Sequence, residues 1–331
     1  MLELPAHQIL PETLRGGVVA VGNFDGMHLG HQQLLARAKA EAEKLGKSFG
    51  LLTFEPHPRT FFRPSEPVFR LTPPPLKAVL AKILGAGFVA TLNFDATTAS
   101  QSPEDFIVQQ LVQRLGVAHV ITGFDFHFGK GRKGTPETLI AAGKNLGFGV
   151  TVVEQVADET EGGMAPFSSS TIRSNLRRGH IREAGLGLGY QWIVMGEVVK
   201  GDQRGRTIGF PTANIILEPG AEPYRGIYAV TARETSGGPQ WQGAAYFGDR
   251  PTFNTNRTFL EVHLLDQDMD LYGKTLSVNF VDLVRGDKTF SSVDGLIAQM
   301  KQDCDTVRDI LAKDRPMDLP LAKAQAQGQI R

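Results

Sequence analysis

A parallel α/β sheet followed by a small antiparallel β-barrel is the fold class predicted by three features of this sequence. The chain has 331 residues, more than the roughly 100–200 of one domain, so each half can bury its own core. From Gly17 to about Val153 apolar runs alternate with helical patterns, the mark of a sheet flanked by helices. After about Leu186 short strands follow one another between Gly, Pro and Asp turns, which suggests a barrel.

In the first half, Val18–Val21 reads as a buried strand running into a glycine turn. Gln32–Lys44, rich in Ala, Leu, Lys and Glu, reads as a helix, and Leu51–Phe54 as a second strand. Leu76, Val79, Leu80, Ile83 and Leu84 follow the i, i+3, i+4, i+7, i+8 spacing of one helical stripe. Ser102-Pro103-Glu104-Asp105 opens another helix, with a capping hydroxyl, a proline at the first helical position and an acid three residues after the cap. Val117–Thr122 and Gly149–Val153 are strands on either side of a helix at Pro136–Asn145. Ligands of such a sheet sit at the carboxyl ends of its strands.

In the second half, Ile193–Val199, Gly226–Ala232, Trp241–Phe247, Thr258–Leu265 and Leu276–Leu283 are the expected strands. Val293, Leu296, Ile297, Met300, Val307 and Ile310 share a helical face after them. Ala184–Tyr190, with three glycines in seven residues, is the expected linker. The predicted domains are therefore 1–186 and 187–313, with a loosely ordered tail at 314–331.

Lys plus Arg equals Asp plus Glu at 35 each, so the charge balance lacks the footprint of a nucleic-acid binder and favours a small-molecule substrate. The single cysteine, Cys304, rules out an intramolecular disulfide and fits a reducing compartment. Met1–Leu14 has neither a signal-peptide core nor a basic leader, and no segment approaches the ~20 apolar residues of a membrane span. A cytoplasmic protein without a membrane or nucleic-acid partner is expected; its oligomeric state is not set by the sequence.

The first chemical segment is Gly22-Asn23-Phe24-Asp25-Gly26-Met27-His28-Leu29-Gly30-His31, between the first strand and the first helix. Gly22 and Gly26 let backbone approach a phosphate, and the following helix aims N–H groups at it. His28 and His31 add imidazole donors. Two histidines three apart also fit capping or solvated residues, and a zinc site would lack an obvious third ligand. The combination resembles the His-X-Gly-His signature of adenylyl and cytidylyl transferases, which position an attacking phosphate against the α-phosphate of ATP and stabilise the developing charge. The resemblance implies ATP binding by Gly22, Phe24, Asp25, Gly26, His28 and His31, with both histidines catalytic.

Three further segments resemble, in order, those of the prokaryotic bifunctional riboflavin kinase/FAD synthetase family. They are Thr53-Phe54-Glu55-Pro56-His57-Pro58, Gly123 through Gly131, and Ser168-Ser169-Ser170-Thr171-Ile172-Arg173. The resemblance implies a flavin site at Phe54, Pro56, His57, Pro58, Asp125 and Phe128, and an Arg173 that contacts the triphosphate. Read from residues alone, Pro56-His57-Pro58 is a rigid turn and Arg173 a surface cation. Ser170 stands where the family usually has threonine, which keeps the hydroxyl; Leu71-Thr72-Pro73-Pro74-Pro75 is more proline-rich than the family pattern.

The most specific stretch is Gly201 through Asn214. Its glycines suit an anion-accepting loop, while Thr212 and Asn214 offer a hydroxyl and an amide oxygen to a hard cation such as Mg2+. It lacks the Gly-Lys-Ser/Thr of a P-loop. It closely resembles the riboflavin kinase motif, which implies ATP binding by Gly201, Gly205, Arg206, Gly209, Thr212 and Asn214, and Mg2+ at the last two. Glu261 alternates with Leu260, Val262 and Leu264 on an expected strand, so it faces away from the aliphatic side. By resemblance it is the base that takes the proton of the substrate hydroxyl. Tyr246-Phe247-Gly248 replaces the family's more usual Asn-Ile-Gly.

Taken together the resemblance, covering residues 17 to 312, implies a nucleotidyltransferase-like sheet that makes FAD and a riboflavin kinase-like barrel that makes FMN, with riboflavin, FMN and ATP as small-molecule partners. The alternatives are a monofunctional kinase with a degenerate transferase module, against which intact His28, His31 and Arg173 count, and a flavin sensor without turnover, against which Glu261 counts.

Overall fold

The computed structural model describes residues 1–154, 167–201, 204–217, 220–248 and 259–330. Two compact units emerge, one formed by Met1–Val68 with Lys77–Phe167 and the other by Phe69–Leu76 with Ser168–Arg331.

The first unit holds strands β1 (Leu2–Leu4), β2 (Val18–Val21), β3 (Phe49–Glu55), β4 (Phe88–Asn93), β5 (His119–Gly123) and β6 (Gly149–Val153). They form one sheet in the order β1-β4-β3-β2-β5-β6, with every pair parallel. All four residues of β2 and the first six of β3 are buried, as continuous apolar runs in a sheet covered on both faces should be. The chain moves outward from β2 through β3 to β4 and then returns to β5 on the other side of β2. That reversal leaves a crevice at the carboxyl end of β2, where the glycine–histidine segment begins.

Helices α1 (Leu29–Leu45), α2 (Pro58–Phe62), α3 (Pro74–Ile83), α4 (Ala96–Ser100), α5 (Pro103–Phe106) and α6 (Pro136–Leu146) lie between these strands, and α5 runs on into a π-helical segment, Ile107–Leu115. The Ser102 cap is as expected, its side chain accepting from Asp105 N. Strands β1 and β4 have no counterpart in the sequence reading.

The second unit continues with α7 (Ser169–Arg178), α8 (Ile181–Leu188), β7 (Ile193–Val199), α9 (Arg204–Thr207), β8 (Ala213–Ile216), β9 (Gly226–Glu234), β10 (Trp241–Phe247), β11 (Phe259–Leu264), β12 (Thr275–Gly286), α10 (Val293–Lys313) and α11 (Pro320–Ala326). The six strands close into an antiparallel barrel in the order β10-β11-β8-β7-β12-β9. Helix α10 packs Cys304 and Val307 with Phe210, Ala229 and Leu265 as a core cluster.

Two expectations need correction. Ala184–Tyr190 is not a linker: Ala184, Gly185 and Leu188 are buried residues of α8, which ends on left-handed Gly189. Tertiary packing there overrides the low helix propensity of glycine. Nor is 314–331 loose. Leu321, Ala322, Ala324 and Gln325 of α11 are buried, and Gln325 accepts from the Gln191 backbone N–H at 2.9 Å while donating to the Gln191 carbonyl at 3.0 Å. Four small or apolar residues in seven supply a face too short to register as a helical period.

Candidate active sites

At the end of β2 the backbone turns sharply. Phe24 and Met27 hold φ of 49° and 41°, and Gly26 holds 89°. For Phe24 and Met27 the left-handed region is costly unless the surroundings fix it, and both side chains are fully buried. Gly22 donates its N–H to the Leu52 carbonyl at 3.1 Å. A Cβ there would sit in ordinary contact with the Phe24 ring, at 3.4 Å. Asp25 is buried at 4 % exposure.

His28 caps α1, its Nδ1 accepting from the His31 N–H at 3.4 Å. The two imidazoles stack with centroids 3.7 Å apart and planes 25° apart; His31 also lies 5.4 Å from the Phe24 ring. The capping and catalytic readings thus fall on the same residue: His28 ends the loop and brings His31 beside it at a helix start, where N–H groups and the dipole favour anions. Within the described residues no group of His, Cys, Asp and Glu is placed to hold a metal ion.

His57 likewise caps α2, accepting from Arg59 N at 3.1 Å, after a cis Glu55–Pro56 peptide and with Pro58 opening the helix. Phe54 and Phe128 belong to the sheet's core cluster. From them an aromatic chain extends outward. Phe54 meets Phe94 edge-on at 6.1 Å, Phe94 meets Phe61 at 5.5 Å and Phe62 at 5.8 Å, and Phe128 stacks on Phe126 at 5.4 Å. Phe62 is 65 % exposed, an unusual position for so large an apolar ring. The sequence reading did not single out Phe61, Phe62 or Phe94; the aromatic pair beside Pro58 was the signal available for the first two. Asp125 is exposed on the loop after β5, its carbonyl 2.8 Å from His127 Nδ1.

Arg173 lies on α7 in the second unit, and its Nε donates to the Phe69 carbonyl at 2.6 Å. Ser168 caps that helix, accepting from Thr171 N.

In the barrel, register assembles the second group. Glu261 pairs directly opposite Asn214 across β11 and β8, so the two side chains share a face. Thr212 Oγ1 donates to Glu261 Oε2 at 3.5 Å, a long contact. The alternation expected for β11 holds, with Leu260, Val262 and Leu264 buried and Glu261 and His263 partly exposed. Asn214 is 4 % exposed, and its Oδ1 is a buried acceptor with no hydrogen-bond partner among the described residues. A Cβ on Gly201 would lie 2.6 Å from the Asn214 amide, so glycine is what lets this loop pass the side chain. A Cβ on Gly205 would come closer still to the Phe210 carbonyl, and Gly209, at φ 89°, takes a turn that other residues rarely adopt.

Two cavities adjoin. One of about 150 Å³ is lined by Thr212, Asn214, Val198, Leu271 and Tyr272; the other, of about 610 Å³, is lined by Phe210, His263, Lys301, Cys304 and Arg308. Arg206 and Pro211 border both. Burial raises the Cys304 thiol above its ordinary pKa, which keeps it a neutral wall residue at neutral pH. The α10 residues of the larger cavity were missed because they are spread along a helix that reads only as amphipathic. Arg250-Pro251-Thr252-Phe253, which also fits the family pattern in sequence, lies outside the described residues.

A phosphate-directed loop on a parallel sheet and a hydroxyl–amide–carboxylate group on a barrel define a two-module, nucleotide-using transferase. Residues 10–166 match the FAD synthetase family model and residues 188–311 the riboflavin kinase model. Among curated relatives, the bifunctional riboflavin kinase/FMN adenylyltransferase of Escherichia coli (strain K12) is 36 % identical over 310 residues, covering 94 % of this chain and 97 % of that one. The protein of the same name from Bacillus subtilis (strain 168) is 36 % identical over 304 residues, covering 90 % and 93 %. The chain belongs to this bifunctional riboflavin kinase/FMN adenylyltransferase family. A crystal structure called a macrolide-efflux protein, from Streptococcus pneumoniae, has the same two-module fold at a TM-score of 0.80 and 31 % identity, over 93 % of this chain and 99 % of that one. Its name stays with that protein; among the described residues here no helix is long and apolar enough to cross a membrane.

Proposed function

We propose that the barrel phosphorylates riboflavin to FMN and that the parallel-sheet module transfers AMP from ATP to FMN, giving FAD and pyrophosphate. The observation that carries this reading is the match of both family models to modules whose candidate residues converge locally, Glu261 on Thr212 and Asn214 and His28 on His31.

In the kinase step Glu261 takes the proton of the riboflavin hydroxyl as that oxygen attacks the γ-phosphate of ATP. Thr212 and Asn214 are the residues that would hold Mg2+, which neutralises charge on the phosphates. The buried, unsatisfied Asn214 Oδ1 beside a hydroxyl suits a hard cation. Arg206, on the border of both cavities, puts a permanent cation between nucleotide and flavin. The larger cavity falls in the usual range for small-molecule sites, and its Phe210 and His263 rings, 5.2 Å apart, suit a flat, apolar flavin.

In the adenylyl step an FMN phosphate oxygen attacks the α-phosphate and pyrophosphate leaves. Gly22, Phe24, Asp25 and Gly26 form the phosphate loop, and His28 and His31 direct imidazole donors at the charge that develops. The flavin lies against the Phe54–Phe94–Phe61–Phe62 chain, with His57 and its flanking prolines at the FMN phosphate and Asp125 and Phe128 on the opposing loop. A cytoplasmic enzyme acting on ATP and flavins is consistent with the absence of an apolar spanning helix among the described residues.

The deciding experiment incubates the full chain with riboflavin, ATP and Mg2+ and separates products by chromatography. FMN followed by FAD is the expected result. FMN alone would leave a monofunctional kinase, and neither product would leave a binding protein.

A further inference from the structure

A buried lysine stands behind the phosphate loop. Lys77, on α3, is 6 % exposed, and its Nζ donates to the Asn23 carbonyl at 2.8 Å and to the Thr53 hydroxyl at 3.0 Å. The Thr53 hydroxyl, itself 3 % exposed on β3, donates to the same carbonyl at 3.1 Å. An ammonium is expensive to bury without acceptors for its protons, and one that spends protons on a loop carbonyl does so at a place where backbone direction matters.

That carbonyl belongs to the peptide joining Asn23 to Phe24. The peptide is trans, the only cis bond among the described residues being Glu55–Pro56, so its C=O and N–H point in opposite directions. With the oxygen turned inward onto Lys77 and Thr53, the Phe24 N–H is turned away from them. Two donors on one oxygen also polarise the peptide and strengthen its N–H as a donor. Phe24 meanwhile sits at φ 49°, a conformation that persists only when neighbours over-determine it.

We infer that Lys77 is a positioning residue for adenylyl transfer: with Thr53 it locks the Asn23–Phe24 peptide and so holds the 22–31 loop in the one conformation that faces the triphosphate. The inference rests on the placing of the ATP phosphates at the 22–31 loop. Lys77 does not itself touch the reacting atoms; it sets which way the loop's dipole faces.

The test uses the full chain and FAD formation from supplied FMN. Lys77→Met is expected to lower kcat by about 100-fold, the scale of losing one preorganised donor, with the KM for FMN within threefold of the parent and riboflavin phosphorylation unchanged. Ethylammonium added to Lys77→Ala should restore part of kcat, whereas propanol, which fills the space without the charge, should not. Thr53→Val should lower kcat and Thr53→Ser should recover it. A folded Lys77→Met that keeps kcat within threefold overturns the inference, as does a Lys77→Ala loss that no amine relieves. If neither Lys77 variant folds, Thr53→Val decides, and parental FAD synthesis in it overturns the inference. His28→Ala separates the two levels: activity lost there but kept in Lys77→Met leaves the phosphate site standing and removes only Lys77, whereas activity kept in both removes the site.

Discussion

The end of β2 and the face shared by β8 and β11, the two proposed phosphate sites, are built in opposite ways. In the sheet module the polar groups are backbone N–H groups and imidazoles aimed by a helix start, and the conformation that aims them is held from behind, by buried Phe24, Met27, Thr53 and Lys77. In the barrel they are side chains, aimed by the register that sets Glu261 opposite Asn214. The first arrangement depends on φ angles and is sensitive to whatever lies under the loop. The second depends on strand pairing and is sensitive to whatever crowds the face.

The largest expected break in the comparison is Glu261→Gln, which removes a base and leaves the register intact. Riboflavin phosphorylation should fall by ~10² to 10⁴, the usual worth of a positioned general base, while adenylylation of supplied FMN stays near the parent. Steady-state assays with each flavin check it, and unchanged phosphorylation would take Glu261 out of the chemistry. The reciprocal break, His28→Ala or His31→Ala, should cost FAD synthesis about 10² to 10³ and spare FMN synthesis. Because His28 also caps α1, circular dichroism should accompany the rates; FAD synthesis at the parental rate in both variants would discard the first site.

A smaller effect sharpens the second site. Gly201→Ala puts a methyl 2.6 Å from the Asn214 amide, and overpacking of this kind costs about 1–3 kcal/mol. The Mg2+ concentration for half-maximal phosphorylation should rise by roughly tenfold, the equivalent of 1.4 kcal/mol, with FAD synthesis from FMN as the internal control. A midpoint that does not move would mean that Asn214 is not a ligand. Gentlest of all, Gln325→Ala removes two hydrogen bonds to Gln191, neither residue belonging to a proposed site. It should lower the stability of the second unit by about 1–3 kcal/mol, seen as a reduced Tm, without changing either catalytic rate at 25 °C.

How far the molecule was legible depended on whether a feature left a local mark. The alternating β11, the Ser102 cap and the limits of β7 and β10 are as expected because period, capping chemistry and turn residues are all short-range. The motif residues stand out by their resemblance to known motifs, and the structure places His28 against His31 and Glu261 against Thr212. What escaped was non-local. β1 is three residues long and acquires its strand character only by pairing with β4. Glycines read as a linker became part of a helix because α8 packs its small residues inward. Lys77 looks like one more cation on an amphipathic helix until the fold carries it under Asn23.

The eight residues Phe69–Leu76 belong to the second unit although the chain on both sides of them builds the first. Phe69 meets Trp192 edge-on at 5.5 Å and accepts the Arg173 hydrogen bond. The modules are therefore distinct in space and interleaved in sequence. A single genetic crossover, wherever it falls after residue 76, would hand on the barrel without its Phe69 strap, so a gene of this design passes its kinase half to another chain intact only by two coordinated exchanges or by carrying part of the transferase half along with it.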